Sequence, residues 1–177
     1  FQNFYKLKQI EGIENLNTEN VKDMSDMFSG CSGLISLDVT HFNTENVTRM
    51  SGMFSGCSGL ISLDVTHFNT ENVTSMSGMF DDCSGLISLD VTNFNTANVT
   101  SMSGMFYGCN KLKEIYVSDK FVTDDVISSE YMFMACSSLS GDIDWISVKV
   151  SDKTYAKTAG GYFRDKAYDN RPWVKYA

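Results

Sequence analysis

Carboxyl and hydroxyl side chains recur at fixed intervals along this chain, and they are the groups best suited to bind a ligand. The segment LDVT occurs three times at intervals of 26 residues, and each copy places an aspartate two positions before a threonine. Alternate residues of an extended strand point to one face, so these side chains would line a single surface. The candidate ligand-binding residues are Asp38, Thr40, Asp64, Thr66, Asp90, Thr92, Glu114 and Tyr116.

Two interpretations of this acidic row remain open. Neighbouring strands lie about 4.8 Å apart, and like charges at that spacing repel by about 1 kcal/mol per pair in a water-like dielectric. Solvation and salt can offset this repulsion, which would leave a hydrated face without a ligand. Alternatively, the row collects cations or a polar ligand such as a glycan or a basic peptide, with Tyr116 as an aromatic contact beside the acids.

We expect no enzymatic activity, because catalysis requires a nucleophile, base or metal in one unique place and the candidates here recur with the repeat. His41 and His67 share one offset in successive repeats, with Asn93 next, which is typical of a tolerant turn position and not of a metal pair. The glycine pair at 160–161 lacks the further glycine and lysine of a phosphate-binding loop. The sequence therefore predicts no catalytic residue, no metal site and no cofactor.

The cysteines follow the same periodicity. Their number is odd and each holds the same offset of the motif, which argues against a disulfide framework. A thiolate metal site requires four sulfurs at one point, whereas a ladder spreads them along an axis. Helices about 10 Å across would hold successive cysteine α-carbons near or beyond the roughly 7 Å limit for bridging. The prediction is five reduced, buried thiols at Cys31, Cys57, Cys83, Cys109 and Cys136.

Three NVT sequons lie at one further offset, and they would carry sugars only if the source glycosylates secreted proteins. Their asparagines are Asn46, Asn72 and Asn98. Their threonines form a regular row of the kind that could template ice or mineral. The residue after the threonine is not constant, however, since it is Arg49, Ser75 or Ser101, and this argues against that role.

A repeat of 26 residues organises the whole chain, since nearly the same residues precede and follow the segment Thr44 to Asn69. Such a unit is one supersecondary element that buries its apolar face only when copies stack on it. The predicted repeat domain, 1–145, contains a half-repeat at 1–17 and units at 18–43, 44–69, 70–95, 96–122 and 123–145. The tail at 146–177 is predicted to form a degenerate half-turn and a C-terminal cap.

Within one unit the apolar spacing changes period. Met50, Met53, Phe54 and Cys57 follow the i, i+3, i+4, i+7 spacing that predicts a short helix, and Gly59 follows at a position suited to a helix C-cap. The next segment, LISLDVT, alternates between apolar and polar residues and predicts a half-buried strand with Ile61 among its inward residues. The predicted core of this unit is Met50, Met53, Phe54, Cys57, Leu60, Leu63, Val65 and Phe68.

Composition narrows the class of partner. The chain has 177 residues, 42% of them hydrophobic, which suffices for a buried core. Its formal charge is −8, from 14 basic and 22 acidic residues, with no basic cluster. Nucleic acid and anionic membranes attract positive surfaces, and a bilayer span requires about 18 or more consecutive apolar residues, which the chain lacks. We therefore expect neither nucleic-acid binding nor membrane insertion.

The strand segments LxxLxV at 34–39, 60–65 and 86–91, joined to NVTxMSxMFxxCxxL, resemble the BspA-type surface leucine-rich repeats of bacteria. The resemblance extends over about residues 5–145. It implies an α/β fold, a right-handed solenoid with one short parallel strand and one short helix per coil, in a secreted or cell-surface setting. The chain departs from many such repeats at Phe42, Phe68 and Phe94, where a buried asparagine ladder is expected.

The resemblance implies adhesion or recognition rather than catalysis. We expect the sheet face to bind a protein or glycan on a host or neighbouring cell. The alternative is a structural subunit whose truncated N-terminal and degenerate C-terminal repeats meet end to end, since a head-to-tail contact of this kind propagates into an extracellular filament or other homo-oligomer.

Overall fold

The computed structural model describes residues 1–143, 145 and 152–166. Part of the predicted C-terminal cap, at 146–151 and 167–177, lies outside the described residues. The described elements are few and short. They are a 3-10 helix at Ile13–Asn15, strand β1 at Ser88–Asp90, strand β2 at Glu114–Val117, a 3-10 helix at Lys153–Tyr155 and strand β3 at Phe163–Asp165. The three strands form one parallel sheet in the order β1-β2-β3.

Successive repeats lie side by side in parallel register, joined by backbone hydrogen bonds. The N–H groups of Met24, Asp26 and Phe28 donate to carbonyls 25 residues later, at N–O distances of 3.0, 2.9 and 2.9 Å. Isolated parallel bridges continue the pairing through the later repeats, linking Asp23, Arg49, Ser75, Ser101 and Ser128. Each repeat therefore finds its main-chain partners in its neighbours, which agrees with a repeat-like fold.

The prediction of a short helix is wrong. In the described residues, the segment from Met50 to Cys57 forms a series of turns, and so do the equivalent segments of the other repeats. Gly52 and Gly56 have φ angles of 63° and 71°, which a right-handed helix cannot contain. Their N–H groups donate to the next repeat, while Ser55 and Cys57 bond three residues back, to the Gly52 and Phe54 carbonyls, at 3.0 Å. The two left-handed residues are four positions apart, one in each turn. The two turns together direct inward the same apolar side chains that would lie on one face of a helix.

The strand prediction holds only toward the C-terminal end, where β1 and β2 pair Ser88 with Glu114 and Asp90 with Tyr116. Within the described residues, the corresponding segments of the earlier repeats contain no strand. The aspartates of these segments accept the N–H of the threonine two residues on, as Asp90 at the end of β1 also does. The third strand, β3, comes from the tail and pairs with β2, not from the repeat at 123–145.

The predicted core is confirmed, and it is a single cluster that runs through all the repeats. Leu63 is 8% exposed and the other predicted core residues are buried at least as deeply. Ile61, predicted to point inward, is instead 60% exposed, because the chain bends there as it passes from the turns to the extended segment. The alternation of inward and outward residues therefore begins one residue later than expected.

A column of stacked phenylalanine rings sets the spacing of the repeats. Neighbouring rings are nearly parallel, with centroids 5.5 to 5.8 Å apart. This spacing is far shorter than the ~10 Å between packed helices on which the thiol prediction was based. The column consists of Phe1, Phe28, Phe54, Phe80, Phe106 and Phe133.

The five cysteines are nevertheless free and buried, as predicted. Each thiol donates to a phenylalanine carbonyl of the preceding repeat; for Cys57 and Cys83 the S–O distances are 3.1 and 3.0 Å. Burial raises the pKa of Cys57 and Cys136 to about 12, which keeps both thiols protonated. Each thiol therefore has a backbone acceptor in the preceding repeat, and the spacing of the cysteines is not set by helices.

Gly59 and its equivalents were predicted to be helix C-caps, but they mark places where two repeats meet at the backbone. A β-carbon built on Gly85 would lie 2.5 Å from the carbonyl oxygens of Ser58 and Leu60 in the preceding repeat. Any side chain at this position would have to push the two repeats apart.

Buried threonines provide a further link between repeats that the sequence analysis missed. Thr44 is 2% exposed, and its hydroxyl donates to the Asn69 carbonyl at 2.9 Å and accepts the Asn69 N–H at 2.8 Å. Thr96 makes the same pair of bonds to Val122. One hydroxyl thus satisfies a donor and an acceptor of the next repeat.

Asp81 is a partly buried carboxyl group whose Oδ1 lies out of contact with solvent and has no hydrogen-bond partner in the described structure. Burial, together with the neighbouring Asp82 carboxylate, raises the pKa of Asp81 to about 6. The unfolded chain releases this proton near the ordinary aspartate pKa of 3.8, so the folded state loses stability as the pH rises from about 4 through 6.

We expect Asp81→Ser, which restores the residue type found at Ser55, to stabilise the protein at pH 8 and to leave it nearly unchanged at pH 4. Urea unfolding followed by circular dichroism at the two pH values measures the difference. Asp125→Ser, a change of the same charge at an exposed position, serves as the control. An equal effect of Asp81→Ser at both pH values would contradict the assignment.

No helix among the described residues is long and apolar enough to cross a membrane.

Candidate recognition face

The predicted aspartate and threonine of each LDVT segment form one hydrogen-bonded pair. In the second repeat, Asp64 Oδ1 accepts both the Thr66 N–H at 3.0 Å and the Thr66 hydroxyl at 2.6 Å. Asp38 with Thr40 and Asp90 with Thr92 repeat the arrangement. Since Oδ1 and the threonine hydroxyl are both used within the pair, the second carboxylate oxygen is the group left to meet a partner.

In the third repeat the chain itself supplies that partner. Lys166, just after β3, forms an ion pair with Oδ2 of Asp90. Burial is the largest single influence on the pKa of Asp90 and raises it, but the hydrogen bonds from Lys166 and Thr92 together outweigh burial and lower the pKa overall. A lysine ammonium is therefore a suitable occupant of the outward oxygen.

In the fourth repeat, the acidic side chain likewise has its partners within the chain. The Tyr116 hydroxyl donates to Glu114 Oε2 at 2.7 Å, and Arg164 of β3 lies with Nε 3.4 Å from Glu114 Oε1. The pairing of Tyr116 with Arg164 across β2 and β3 holds this arginine beside the acid. The C-terminal half of the predicted row is thus neutralised from within.

The N-terminal half is open. Within the described residues, Oδ2 of Asp38 and of Asp64 has no partner, and both residues line a groove of about 540 Å³. Gln9 and Glu11 of the first half-repeat lie on its other side. The groove lining is completed by Ile10, Ser36, Leu37, Thr40, Ser62 and Leu63. The structure therefore divides the predicted site into a filled half and an empty one, and we call the empty half the acidic groove.

The electrostatics of the acidic groove favour ionised carboxylates. The side-chain hydrogen bond from Thr40, followed by its backbone N–H, lowers the pKa of Asp38. The same two donors of Thr66 lower the pKa of Asp64, and repulsion from Asp90 is the smallest influence on it. Repulsion along the row is therefore weak compared with the local hydrogen bonds, and both carboxylates stay charged well below neutral pH.

A column of exposed isoleucines runs beside the acidic row. Ile35, Ile61 and Ile87 are 61%, 60% and 45% exposed, and each directly precedes the outward serine of its repeat. Exposed apolar side chains that line up next to charged ones are typical of surfaces that bind other molecules.

The other candidate groups have local roles. The imidazoles of His41 and His67 lie 3.2 and 3.3 Å, through Nδ1, from the hydroxyl of the preceding threonine. Among the residues that the structure describes, no group of three or more His, Cys, Asp or Glu side chains could hold a metal ion. The regular threonines Thr48 and Thr74 are exposed, and their hydroxyls donate to carbonyls of the preceding repeat.

The sequon asparagines form a ladder that was not expected. Asn46, Asn72 and Asn98 each donate through Nδ2 to a glutamate carbonyl of the preceding repeat, at 2.9, 2.9 and 2.8 Å. An asparagine ladder is therefore present, at exposed positions and at a different offset from the buried one that was sought. The atom that would carry a sugar is already a hydrogen-bond donor between repeats.

Sequence reasoning missed Arg164 and Lys166 as members of this face. The only sequence signal for them was the more basic composition of the tail, which does not indicate their targets.

Parallel repeats joined through their backbones around a continuous apolar interior define a repeat-like fold. The family described as "Mycoplasma protein of unknown function, DUF285" matches residues 1–114 and 62–165, and the chain belongs to it. No curated protein and no solved structure matches the chain.

Proposed function

We propose that the chain is a non-enzymatic recognition module of a secreted or cell-surface protein, and that it binds a protein or glycan ligand through the acidic groove. The contrast between the two halves of the acidic row carries the proposal. Asp90 pairs with a threonine as Asp38 and Asp64 do, yet among these three aspartates, in the part of the chain that the structure describes, only Asp90 binds an ammonium group through its outward oxygen. The oxygens that face the groove are suited to a basic side chain or a sugar hydroxyl supplied by a ligand.

Within this proposal the repeats form a right-handed leucine-rich-repeat solenoid of the BspA type. The parallel register of the repeats and the recurrence of LxxLxV support it. In this proposal each coil consists of turns and short strands, without the short α-helix that the resemblance implies.

End-to-end assembly into filaments is the weaker candidate, because the last repeat is already covered. The Trp145 indole N–H donates to the Phe133 carbonyl at 3.0 Å, and the Lys153 ammonium donates to the carbonyls of Thr123 and Val126. The Trp145 indole thus occupies the carbonyl that, in the interior repeats, accepts the cysteine thiol of the following repeat. A sedimentation experiment at increasing concentration distinguishes the two: a monomer supports recognition, and fibres support assembly.

We expect the double variant Asp38→Asn, Asp64→Asn to lose about ten-fold or more in affinity for any ligand found on an array of extracellular proteins and glycans, as removal of buried or partly buried charge contacts does. Asparagine keeps the oxygen that accepts from Thr40 and Thr66, so the melting temperature should stay near that of the parent. Surface plasmon resonance measures the affinity.

The matched control is Glu45→Gln, Glu71→Gln, which changes the net charge equally at exposed positions outside the acidic groove. Equal weakening by both double variants would reduce the effect to overall charge, and undiminished binding by the aspartate variant would place the site elsewhere.

A further inference from the structure

The aspartates of the acidic groove each offer a ligand only one of their two carboxylate oxygens. In Asp64, Oδ1 accepts both the N–H and the hydroxyl of Thr66, at 3.0 and 2.6 Å. Asp38 receives the same two bonds from Thr40, at the same two distances. A carboxylate oxygen has two lone pairs, so Oδ1 is fully used in both residues. Among the described residues, Oδ2 is therefore the one acceptor that each carboxylate presents to a partner.

A carboxylate with one free oxygen does not suit every cation equally. Arginine binds carboxylates strongly because two of its N–H groups can meet both oxygens at once, and an engaged Oδ1 removes that possibility. The chain shows the result at Asp23, where Oδ1 accepts the Ser25 N–H and two nitrogens of Arg49 converge on Oδ2 alone. A lysine ammonium is a compact charge that needs a single oxygen. A sugar hydroxyl also needs one oxygen, but a bond without a charged donor is about half as strong.

The third repeat contains an example of the lysine match. Asp90 has the same two bonds from Thr92 on its Oδ1, and its Oδ2 binds the ammonium of Lys166. The arginine of the same segment, Arg164, lies instead against Glu114, which is not part of an aspartate–threonine pair. Lys166 directly follows β3, so an extended segment of polypeptide delivers the ammonium to the row.

The acidic groove also suits the rest of a lysine side chain. Ile10 and Leu37 line it beside the carboxylates and are only partly buried, and a lysine packs its methylene stem on such apolar surface while its charge stays outside. The repeats that carry Asp38 and Asp64 are close neighbours, since the stacked rings of Phe28 and Phe54 have centroids 5.8 Å apart. Alternate residues of an extended segment are about 6.6 Å apart. Lysines at alternate positions can therefore reach both carboxylates.

We propose that the acidic groove recognises lysine in preference to arginine, on an extended segment of a protein partner with lysines at alternate positions. This inference rests on the proposed function and names the ligand class of its site. One ammonium would donate to Oδ2 of Asp38 and the next to Oδ2 of Asp64, as Lys166 does to Asp90. The threonines act as positioning residues, because their bonds to Oδ1 set the preference.

Three peptides test the preference: Thr-Lys-Thr-Lys-Thr, its form with both lysines replaced by arginine, and its form with both lysines acetylated. Each is titrated into the intact chain at low salt, and the amide resonances of Thr40 and Thr66 are followed by nuclear magnetic resonance. The lysine peptide should shift both resonances and bind about three-fold more tightly than the arginine peptide, or better. Because these two peptides have equal charge, overall attraction cancels. The acetylated peptide has lost its charge and should not bind.

The double variant Thr40→Val, Thr66→Val tests the reason for the preference. It frees one lone pair of each Oδ1, so the arginine peptide should gain affinity relative to the lysine peptide and the three-fold difference should disappear. A general loss of structure would weaken both peptides and would not change their ratio. The control is Thr48→Val, Thr74→Val, at exposed positions outside the acidic groove, which should keep the parent's ratio.

Several outcomes would overturn the inference. They are equal binding of the lysine and arginine peptides, binding of the acetylated peptide, no shift at Thr40 and Thr66, and an unchanged ratio in the Thr40→Val, Thr66→Val variant. Spermidine that binds as tightly as the lysine peptide would overturn the assignment to a polypeptide. An array ligand that lacks lysine but depends on Asp38 and Asp64 would overturn this inference alone and leave the proposed function standing.

Discussion

Replacing Phe80 by alanine is expected to destabilise the fold by about 3–5 kcal/mol, as truncation of a buried aromatic side chain does. Phe80 is fully buried, and its ring lies between those of Phe54 and Phe106, with centroids 5.8 Å apart in both pairs. Each neighbouring ring belongs to another repeat and stacks on a further ring, so neither can move into the cavity without leaving its own partner. Because repeat stability depends on each contact between neighbours, the loss falls on two junctions at once.

The urea midpoint of unfolding, followed by circular dichroism, measures this loss. The control is Ile87→Ala in the same repeat, where the side chain is 45% exposed and the change should stay within about 0.5 kcal/mol. A Phe80→Ala protein that unfolds at the same midpoint as the parent would show that the register of the repeats is wrong.

Replacing Thr96 by valine is expected to cost about 2–4 kcal/mol although the two side chains have nearly the same shape. The Thr96 side chain is buried, and its hydroxyl donates to the Val122 carbonyl at 2.6 Å and accepts the Val122 N–H at 2.8 Å. Valine leaves both backbone groups without a partner, and a buried group in that state costs about 1–3 kcal/mol.

Two further variants separate the hydroxyl from the methyl group. Thr96→Ser keeps the hydroxyl and should recover most of the stability. Thr100→Val, at an exposed position of the same repeat, removes one hydroxyl bond to the Thr74 carbonyl that water can replace, and it should cost less than about 1 kcal/mol. Thermal unfolding of the three variants gives the comparison. A Thr96→Ser protein as unstable as Thr96→Val would assign the effect to packing and not to the hydrogen bonds.

The core could be predicted from the sequence because a repeat with fixed offsets leaves each apolar residue only one environment. Leu60, Val65 and Phe68 point inward in every interior copy, and a change of register would expose all copies together. The same argument located the thiols, although the reason for their isolation was different. Cys57 is held by a carbonyl of the neighbouring repeat and not by the width of a helix.

The local backbone conformation could not be predicted as well from the sequence, because two different conformations satisfy the same apolar pattern. The i, i+3, i+4, i+7 spacing from Met50 to Cys57 is met both by a helical stripe and by two successive turns. Ser-Gly pairs within each repeat are a turn signal that could have decided between them. The decisive factor is that alternate N–H groups bond to the next repeat, which a helix, with all its bonds inside one segment, cannot do.

The row of aspartates and threonines and the interior of each repeat were determined by the sequence itself, because residues two or a few positions apart create them. Which part of that row is open was decided only by the tertiary structure. Lys166 reaches Asp90 across 76 residues, and Arg164 reaches Glu114 through the pairing of β3 with β2. No local pattern encodes such contacts, since they depend on the tail returning to occupy the strand position beside the fourth repeat. Within the described residues, the tail covers the C-terminal half of the row and leaves the acidic groove at Asp38 and Asp64 open.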